Sequence, residues 1–313
     1  MHRRIVPIVC PYPGTFVQAY YVDAARPALI DTGGTAHPTA EIAAALMAAG
    51  TNLDKIDVII NTHGHWDHAG GNAAVQAASG AETWIHALGA PLLTSTAPHI
   101  EGYATLQARL LSPITPITSN AAFADLLVPS APATRLLSDG DRLDLGGVVL
   151  TAIQAPGHSD DLLAYFWEEE GILIAADAAQ GTGSRVGGCP LYFTSAAEAR
   201  ASIRRLMEIP FRELQVGHPF GRLSTPERTT TYDNAAGRAF LSDSLEALDL
   251  MEAALLATIR DQPHATFPAT VSAAVDVLRR DGRWTLIDDP GFGLPMGAAV
   301  TFDTLWRELG ESA

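Results

Sequence analysis

The chain has 313 residues, 47% of them hydrophobic and 18% charged, with a formal net charge of −15. That is ample apolar material for a core and too few charges for a disordered chain. A surface this acidic repels phosphate backbones, and with Lys55 the sole lysine and the arginines scattered, nucleic acid is excluded as an expected partner. The two cysteines, Cys10 and Cys189, are far apart and read as free thiols in a reducing compartment. The opening "MHRRIVPIVCPYPG" has an apolar run broken by Pro7 and ended by Pro11, too short for a signal peptide or a membrane span. A cytoplasmic protein is therefore expected.

In chain order, residues 15 to 31 read as two strands and a turn, ending at Asp31. The Gly-rich "TGGTAHP" follows, then a helix, "TAEIAAALMAAG", with Gly50 suited to its C-terminal cap. "KIDVIINT" is a β-branched strand, "GNAAVQAAS" a helix and "AETWIHA" another strand, an alternation that predicts a layered α/β domain. From about Leu88 to Arg135, Pro, Ser and Thr punctuate short helical pieces, an insert too long for a plain connection. β-rich sequence then runs to "GILIAAD", ending at Asp177. "AYYVDAARPALID" and "LAYFWEEEGILIAAD" share a pattern of strand, turn, strand and Asp, which hints at two similar halves facing each other. "SAAEARASIRRLMEI" is an amphipathic helix, and "ELQVGHP" a strand bearing His218. From about Asp233 the pattern is helical. The division expected is a domain over 1–235 with the insert at about 88–135, and a C-terminal helical extension over 236–313. That extension is left open between simple packing, a cap over the pocket and a homodimer interface.

The chemistry is concentrated in "NTHGHWDHAGGN", which places three of ten histidines within six residues. His63 and His65, two apart in an extended segment, point the same way, while Asp67 and His68 follow where the chain turns into a helix. All four cannot comfortably reach one ion but can reach two neighbouring ones. His158 in "QAPGHSDD", Asp177 and His218 stand at strand ends beside small residues, where rigid backbone suits metal ligands.

Taken together and in this order, "THGHWDHAGG", "APGHSDD", "LIAAD" and "VGHP" resemble the metal motifs of the metallo-β-lactamase-fold hydrolase superfamily, above all its glyoxalase-II-like and lactonase-like members. The resemblance spans roughly residues 15 to 225. It implies a four-layer αββα sandwich carrying the helical insert and the C-terminal helical extension. It further implies two divalent metal ions, zinc foremost, with iron or manganese as alternatives. His63, His65 and His158 would hold one ion, Asp67, His68 and His218 the other, and Asp177 would bridge them. Asp31 would support the metal loop from behind. Asp67 and Asp177 would be the catalytic carboxylates, flanking a hydroxide that attacks a polarised carbonyl.

Within that resemblance the chain departs from its subfamilies. True β-lactamases of this fold lack the bridging Asp, and the basic glutathione-binding residues of glyoxalase II are not evident. Many lactonases place a Tyr three residues after the bridging Asp, where this chain has Gln180. Tyr192 is the candidate substitute, and Phe193, Gln180 and Arg185 of the same loop are candidate substrate contacts. Cys189 has no paired base in view. Trp66 reads as packing, His86 as a strand-end residue, and His2, His37, His99 and His264 as solvated. The acidic chain and apolar-leaning insert suit a neutral, partly hydrophobic small molecule, so the expected reaction is hydrolysis of an ester, lactone or thioester. A mononuclear iron persulfide dioxygenase and a phosphodiester hydrolase are the alternatives, the second disfavoured by the charge.

Overall fold

A computed structural model describes residues 4–110, 127–225, 227–288 and 294–311. The middle of the predicted insert, 111–126, lies outside these residues, as does His2. Among the described residues no helix is long and apolar enough to cross a membrane.

Two six-stranded sheets face each other. The first runs β1 (Ile5–Tyr12), β2 (Thr15–Val22), β3 (Ala28–Ile30), β4 (Val58–Ile60), β5 (Glu82–His86) and β6 (Arg135–Leu137) in spatial order. Its β1–β2–β3 meander is antiparallel and its β3 to β6 parallel. The second sheet has the order β12-β11-β10-β9-β8-β7. Its members are β7 (Arg142–Asp144), β8 (Val149–Gln154), β9 (Leu163–Trp167), β10 (Ile172–Ala176), β11 (Glu213–Phe220) and β12 (Thr229–Asp233). The predicted internal resemblance is visible in the pairing: β2 and β3 form an antiparallel hairpin followed by parallel β4, as β9 and β10 are followed by parallel β11. Asp31, just after β3, and Ala176, just before Asp177, are the non-glycine residues with positive φ among the described residues (58° and 45°). Each hairpin thus ends on a left-handed turn that turns a carboxylate to the same edge of the sandwich.

Three apolar layers follow. Between the sheets pack Tyr20, Ile30, Ile60 and Trp84 from one side and Leu150, Leu163, Tyr165 and Ile174 from the other. The outer face of the first sheet is covered by α1 (Glu41–Ala48) and α3 (Asn72–Ser79), with Ile42, Leu46 and Val75 against Ile59. Gly50, at φ 80°, ends α1 as its sequence predicted. The second sheet's outer face meets α6 (Ala196–Glu208), α7 (Asn234–Asp261), α8 (Phe267–Asp281) and α9 (Met296–Glu311). In α6, Ser195 caps the first turn by accepting the Glu198 N–H, and Ala199, Ile203 and Leu206 recur at helical spacing on the buried face. This is the predicted α/β four-layer sandwich with its helical insert and C-terminal helices.

Two elements go beyond the sequence reading. The segment holding Pro7 and Pro11 is strand β1, because an edge strand tolerates residues that cannot donate to a ladder. The C-terminal helices share one continuous core with β9, β10 and β11: Phe240, Leu248, Val275 and Phe302 sit in the cluster that holds Leu173 and Leu214. α9 also ties down the loop ahead of α6. Thr301 Oγ1 donates to Pro190 O at 2.7 Å and accepts the Tyr192 N–H at 3.0 Å, and Thr304 Oγ1 donates to Tyr192 O at 2.7 Å.

Candidate metal centre

The histidine-rich stretch leaves β4 in extended form, and His65 precedes the one-turn helix α2 (Trp66–Ala69), which carries Asp67 and His68. His158 follows β8, Asp177 follows β10, and His218 lies within β11 where its pairing with β12 shifts register. All seven residues gather at one edge of the two sheets. They form three overlapping groups able to hold a metal ion, each with its candidate ligand atoms within 4.8 Å of one another: His63, His65 and His158; His63, His68 and Asp177; Asp67, His68 and His218.

Within the first group, His65 Nδ1 is 3.1 Å from His63 Nε2 and 2.9 Å from His158 Nε2, so three ring nitrogens converge on one point. In the third, His218 Nε2 is 3.2 Å from Asp67 Oδ2, and His68 Nε2 is 4.0 Å from the same oxygen. Asp177 stands between: Oδ2 is 3.7 Å from His158 Nε2 and 3.5 Å from His218 Nε2, and Oδ1 is 3.6 Å from His68 Nε2. His68 Nε2 and Asp177 Oδ1 are buried without a hydrogen-bond partner. Buried polar atoms are almost always paired, so two orphans facing each other across a histidine cluster fit a site built for cations.

Four of the five imidazoles are aimed by a contact at the other nitrogen. His68 Nδ1–H donates to Asp31 Oδ2 at 2.8 Å, His158 Nδ1–H to Leu191 O at 2.6 Å, and His218 Nδ1–H to Phe16 O at 2.8 Å. His63 Nδ1 lies 3.1 Å from Thr62 Oγ1. This leaves Nε2 of all four pointing inward, the orientation metal sites use. Burial, reinforced by the neighbouring imidazoles, pushes the His63 pKa far down. Burial also pushes His65 far down and lowers His158. Burial works against the Asp67 carboxylate, but His68 and His218 outweigh it and hold its pKa well below the carboxylate range. His68 is opposite in sign: burial disfavours its charge, yet Asp31, Asp67 and Asp177 raise its pKa to about 10.

A cavity of about 290 Å³ opens on the centre and is lined by His65, Asp67, His158, Asp177 and His218 on its floor. Trp66, expected to pack, does so edge-on against Tyr12 at 5.3 Å but also forms part of this wall. Phe193 lines it as expected, with its ring 5.3 Å from His65 and 5.5 Å from His158. Tyr192 and Gln180 do not: both are fully buried. Within "PLYF", Leu191 and Phe193 lie on the cavity and Tyr192 in the core beneath α9. Gln180 instead braces the loop, accepting the Leu191 N–H at 2.8 Å and reaching Leu191 O and Asp177 O with its amide nitrogen. Arg185 is exposed and is absent from the cavity wall.

Two of the histidines expected in solvent are buried instead. His37 Nδ1 accepts the Gly34 N–H at 2.8 Å and its Nε2 is 3.1 Å from Pro11 O, locking the Gly-rich loop to the β1–β2 turn. His99 Nε2 is 3.2 Å from Leu92 O. His264 is exposed, and the His86 ring accepts the Leu88 N–H at 3.3 Å. Cys10 and Cys189 are free and buried, and burial raises the Cys10 thiol to about 12, out of range for a nucleophile.

One contributor went unnoticed in the sequence. Asp161, the second acid of "HSDD", is 2% exposed and accepts the Gly64 N–H at 2.7 Å, so the loop carrying His158 clamps the loop carrying His63 and His65. Its neighbour Asp160 is exposed, and nothing local in the sequence separates the two.

A family profile described as the metallo-beta-lactamase superfamily matches residues 12–218. The chain belongs to this superfamily. It is 28% identical over 192 residues to a hydroxyacylglutathione hydrolase of Rhodospirillum rubrum, covering 60% of this chain and 59% of that one. It is also 28% identical over 155 residues to the acyl-coenzyme A thioesterase MBLAC2 of Gallus gallus, covering 50% and 52%. The chain thus spans little more than half the length of these curated relatives. Among solved structures, the metallo-beta-lactamase family protein TTHA1429 from Thermus thermophilus superposes with a TM-score of 0.63 at 22% identity, over 92% of this chain and 96% of that one. BJP-1, a subclass B3 metallo-beta-lactamase of Bradyrhizobium japonicum, gives 0.55 at 20% identity over 82% and 93%. Within that fold this chain presents a His/Asp cluster capable of binding metal.

Proposed function

We propose that this chain is a metal-dependent hydrolase that cleaves an ester, lactone or thioester at a centre of two divalent ions. The observation that carries the reading is Asp177, a buried carboxylate lying between two triads, with one oxygen near both His158 and His218 and the other near His68. In this reading His63, His65 and His158 would hold one ion and Asp67, His68 and His218 the other, with Asp177 placed to contribute to both. Such ions, zinc in the first instance, supply an activated water at neutral pH and polarise a carbonyl.

The chain's own groups do the rest. Asp31, Leu191 O and Phe16 O fix the imidazole orientations before any ligand arrives, so no reorganisation is needed at the moment of reaction. Asp67, whose pKa His68 and His218 hold well below the carboxylate range, sets the charge of the second position and can accept a hydrogen bond from water there. Phe193, Leu191 and Phe220 keep the cavity apolar around the reacting carbonyl. An acyl substrate is further supported by the two curated relatives, one named for hydrolysis of hydroxyacylglutathione and one as an acyl-coenzyme A thioesterase.

The test is metal quantitation on the purified chain, followed by a pH-indicator screen over lactones, aryl esters, thioesters, phosphodiesters and β-lactams. Two ions per chain with turnover of a carbonyl ester or thioester is the expected result. One iron per chain with oxygen uptake on a persulfide, or activity confined to phosphodiesters, would overturn it.

A further inference from the structure

Next to the metal cavity lies a larger one of about 450 Å³, and the two share His65, Trp66 and Phe193. The far wall of this chamber comes from two segments the proposed chemistry has not used, the insert helix α5 (Ala97–Arg109), which follows the short α4 (Ala90–Thr94), and the last helix α9. At its end Arg109 Nη1 lies 2.9 and 3.1 Å from the two oxygens of Asp303, and Arg307 Nε donates to the same carboxylate at 3.2 Å. One carboxylate therefore faces two guanidiniums. Arg307 Nη2 also donates to Phe193 O and Thr304 Oγ1, yet the two groups together have ten N–H donors. Among the described residues the rest meet no acceptor, and the two side chains remain 35% and 40% exposed.

The chamber's other acid, Glu101, is exposed and stands eight residues before Arg109 on α5, about 12 Å along the helix axis. That exceeds a screening length of about 8 Å, so the Arg end keeps a local positive charge in a chain whose net charge is −15. Leu106, Val300 and the Phe193 ring make the wall between the ends apolar. Phe193 also sets the span: its carbonyl accepts from Arg307 while its ring meets His65 and His158, so guanidinium and candidate ligands are one residue apart.

We propose that this chamber is a subsite for a substrate arm that is apolar along its length and ends in a carboxylate, held by Arg109 and Arg307. The planar fork of arginine matches a carboxylate in paired hydrogen bonds. A singly charged carboxylate suits the end better than a dianionic phosphate, because Asp303 already offsets one of the two guanidinium charges. The proposal rests on the hydrolase reading and sharpens it, replacing the neutral substrate expected from composition with a short acyl group carrying a distal anion.

Two p-nitrophenyl esters of equal length test it on the metal-loaded full chain: the monoester of glutaric acid, ending in carboxylate, and the valerate, ending in methyl. The expected ratio of kcat/KM is at least tenfold in favour of the glutarate, falling to about one in both Arg109→Gln and Arg307→Gln. Equal kcat/KM for the two esters, or a ratio unchanged in both variants, would overturn the subsite. Calorimetry with the amides N-methylglutaramate and N-methylvaleramide reads the subsite without turnover. Binding of the first alone, weakened about tenfold in either variant, supports it, and no difference between the amides overturns it. If neither ester is hydrolysed while arginine-dependent binding persists, the hydrolase reading falls and the anion subsite stands.

Discussion

Asp31 and His68 are joined by a hydrogen bond of 2.8 Å, and the same carboxylate accepts both the N–H and the hydroxyl of Thr62, again at 2.8 Å. One buried side chain thus fixes the start of the histidine loop and the tautomer of a residue farther along it. Asp31 adopts φ 58°, a conformation that asparagine also tolerates. Asp31→Asn is therefore expected to keep the backbone while weakening metal binding at the second position by about 10- to 100-fold. Competition against a chelating dye measures this, with a melting curve to show that the fold is retained. Undiminished affinity would remove Asp31 from the support of the centre.

The three carboxylates around His68 make a prediction about protons. With its pKa raised to about 10, the metal-free protein carries His68 as imidazolium at pH 7. The charge stabilises the metal-free fold fully below the unfolded value near 6.5, and that contribution is lost as pH rises through about 10. Metal must displace this proton, so loading at pH 7 is expected to release it, and affinity to climb with pH. Calorimetric loading in buffers of different ionisation enthalpy counts the protons. No net release at pH 7 would show that His68 is already neutral.

Gly217 lies against Asp177. A Cβ there would sit 2.1 Å from Asp177 Oδ1 and 3.1 Å from His68 Cε1. Gly217→Ala is expected to push the carboxylate out of place and lower metal content from two ions to one or fewer, with circular dichroism unchanged. Two ions retained at full affinity would argue that Asp177 does not bridge.

Removal of the Asp161 carboxylate leaves the buried Gly64 N–H without a partner, which costs about 1–3 kcal/mol. Asp161→Ala should therefore lower the melting temperature and weaken the position formed by His63, His65 and His158. Asp161→Asn, which can still accept through its amide oxygen, should restore most of both. Equal behaviour of the two variants would mean that the clamp does not act through this hydrogen bond.

What the sequence disclosed and what it withheld follow from the range of the interactions involved. His63, His65, Asp67 and His68 are readable because their spacing is local and the chemistry of their side chains is specific. His158, Asp177 and His218 become readable once those four define a need for partners. The hairpin resemblance ending at Asp31 and Asp177 was visible because both copies obey the same strand-turn-strand pattern, and the left-handed residues at their ends explain why. The inward or outward sense of Tyr192 and Phe193 is a matter of parity, and no local feature sets the parity of a loop whose anchor is Thr301 on a distant helix. Asp160 and Asp161 differ only in which one meets Gly64, 97 residues away. His37 and His99 looked like surface residues because a carbonyl or amide that satisfies a buried imidazole leaves no mark in the sequence.

The last helix has a bearing that its place at the end of the chain conceals. Thr301 grips Pro190 O and the Tyr192 N–H, and Leu191 between them holds the ring of His158. A short stretch of backbone thus connects α9 to an imidazole of the candidate centre. A proteolytic nick or a bound neighbour that levers α9 by even an ångström would be felt as a rotation of that ring. The helical tail is thereby joined to the site it stands behind.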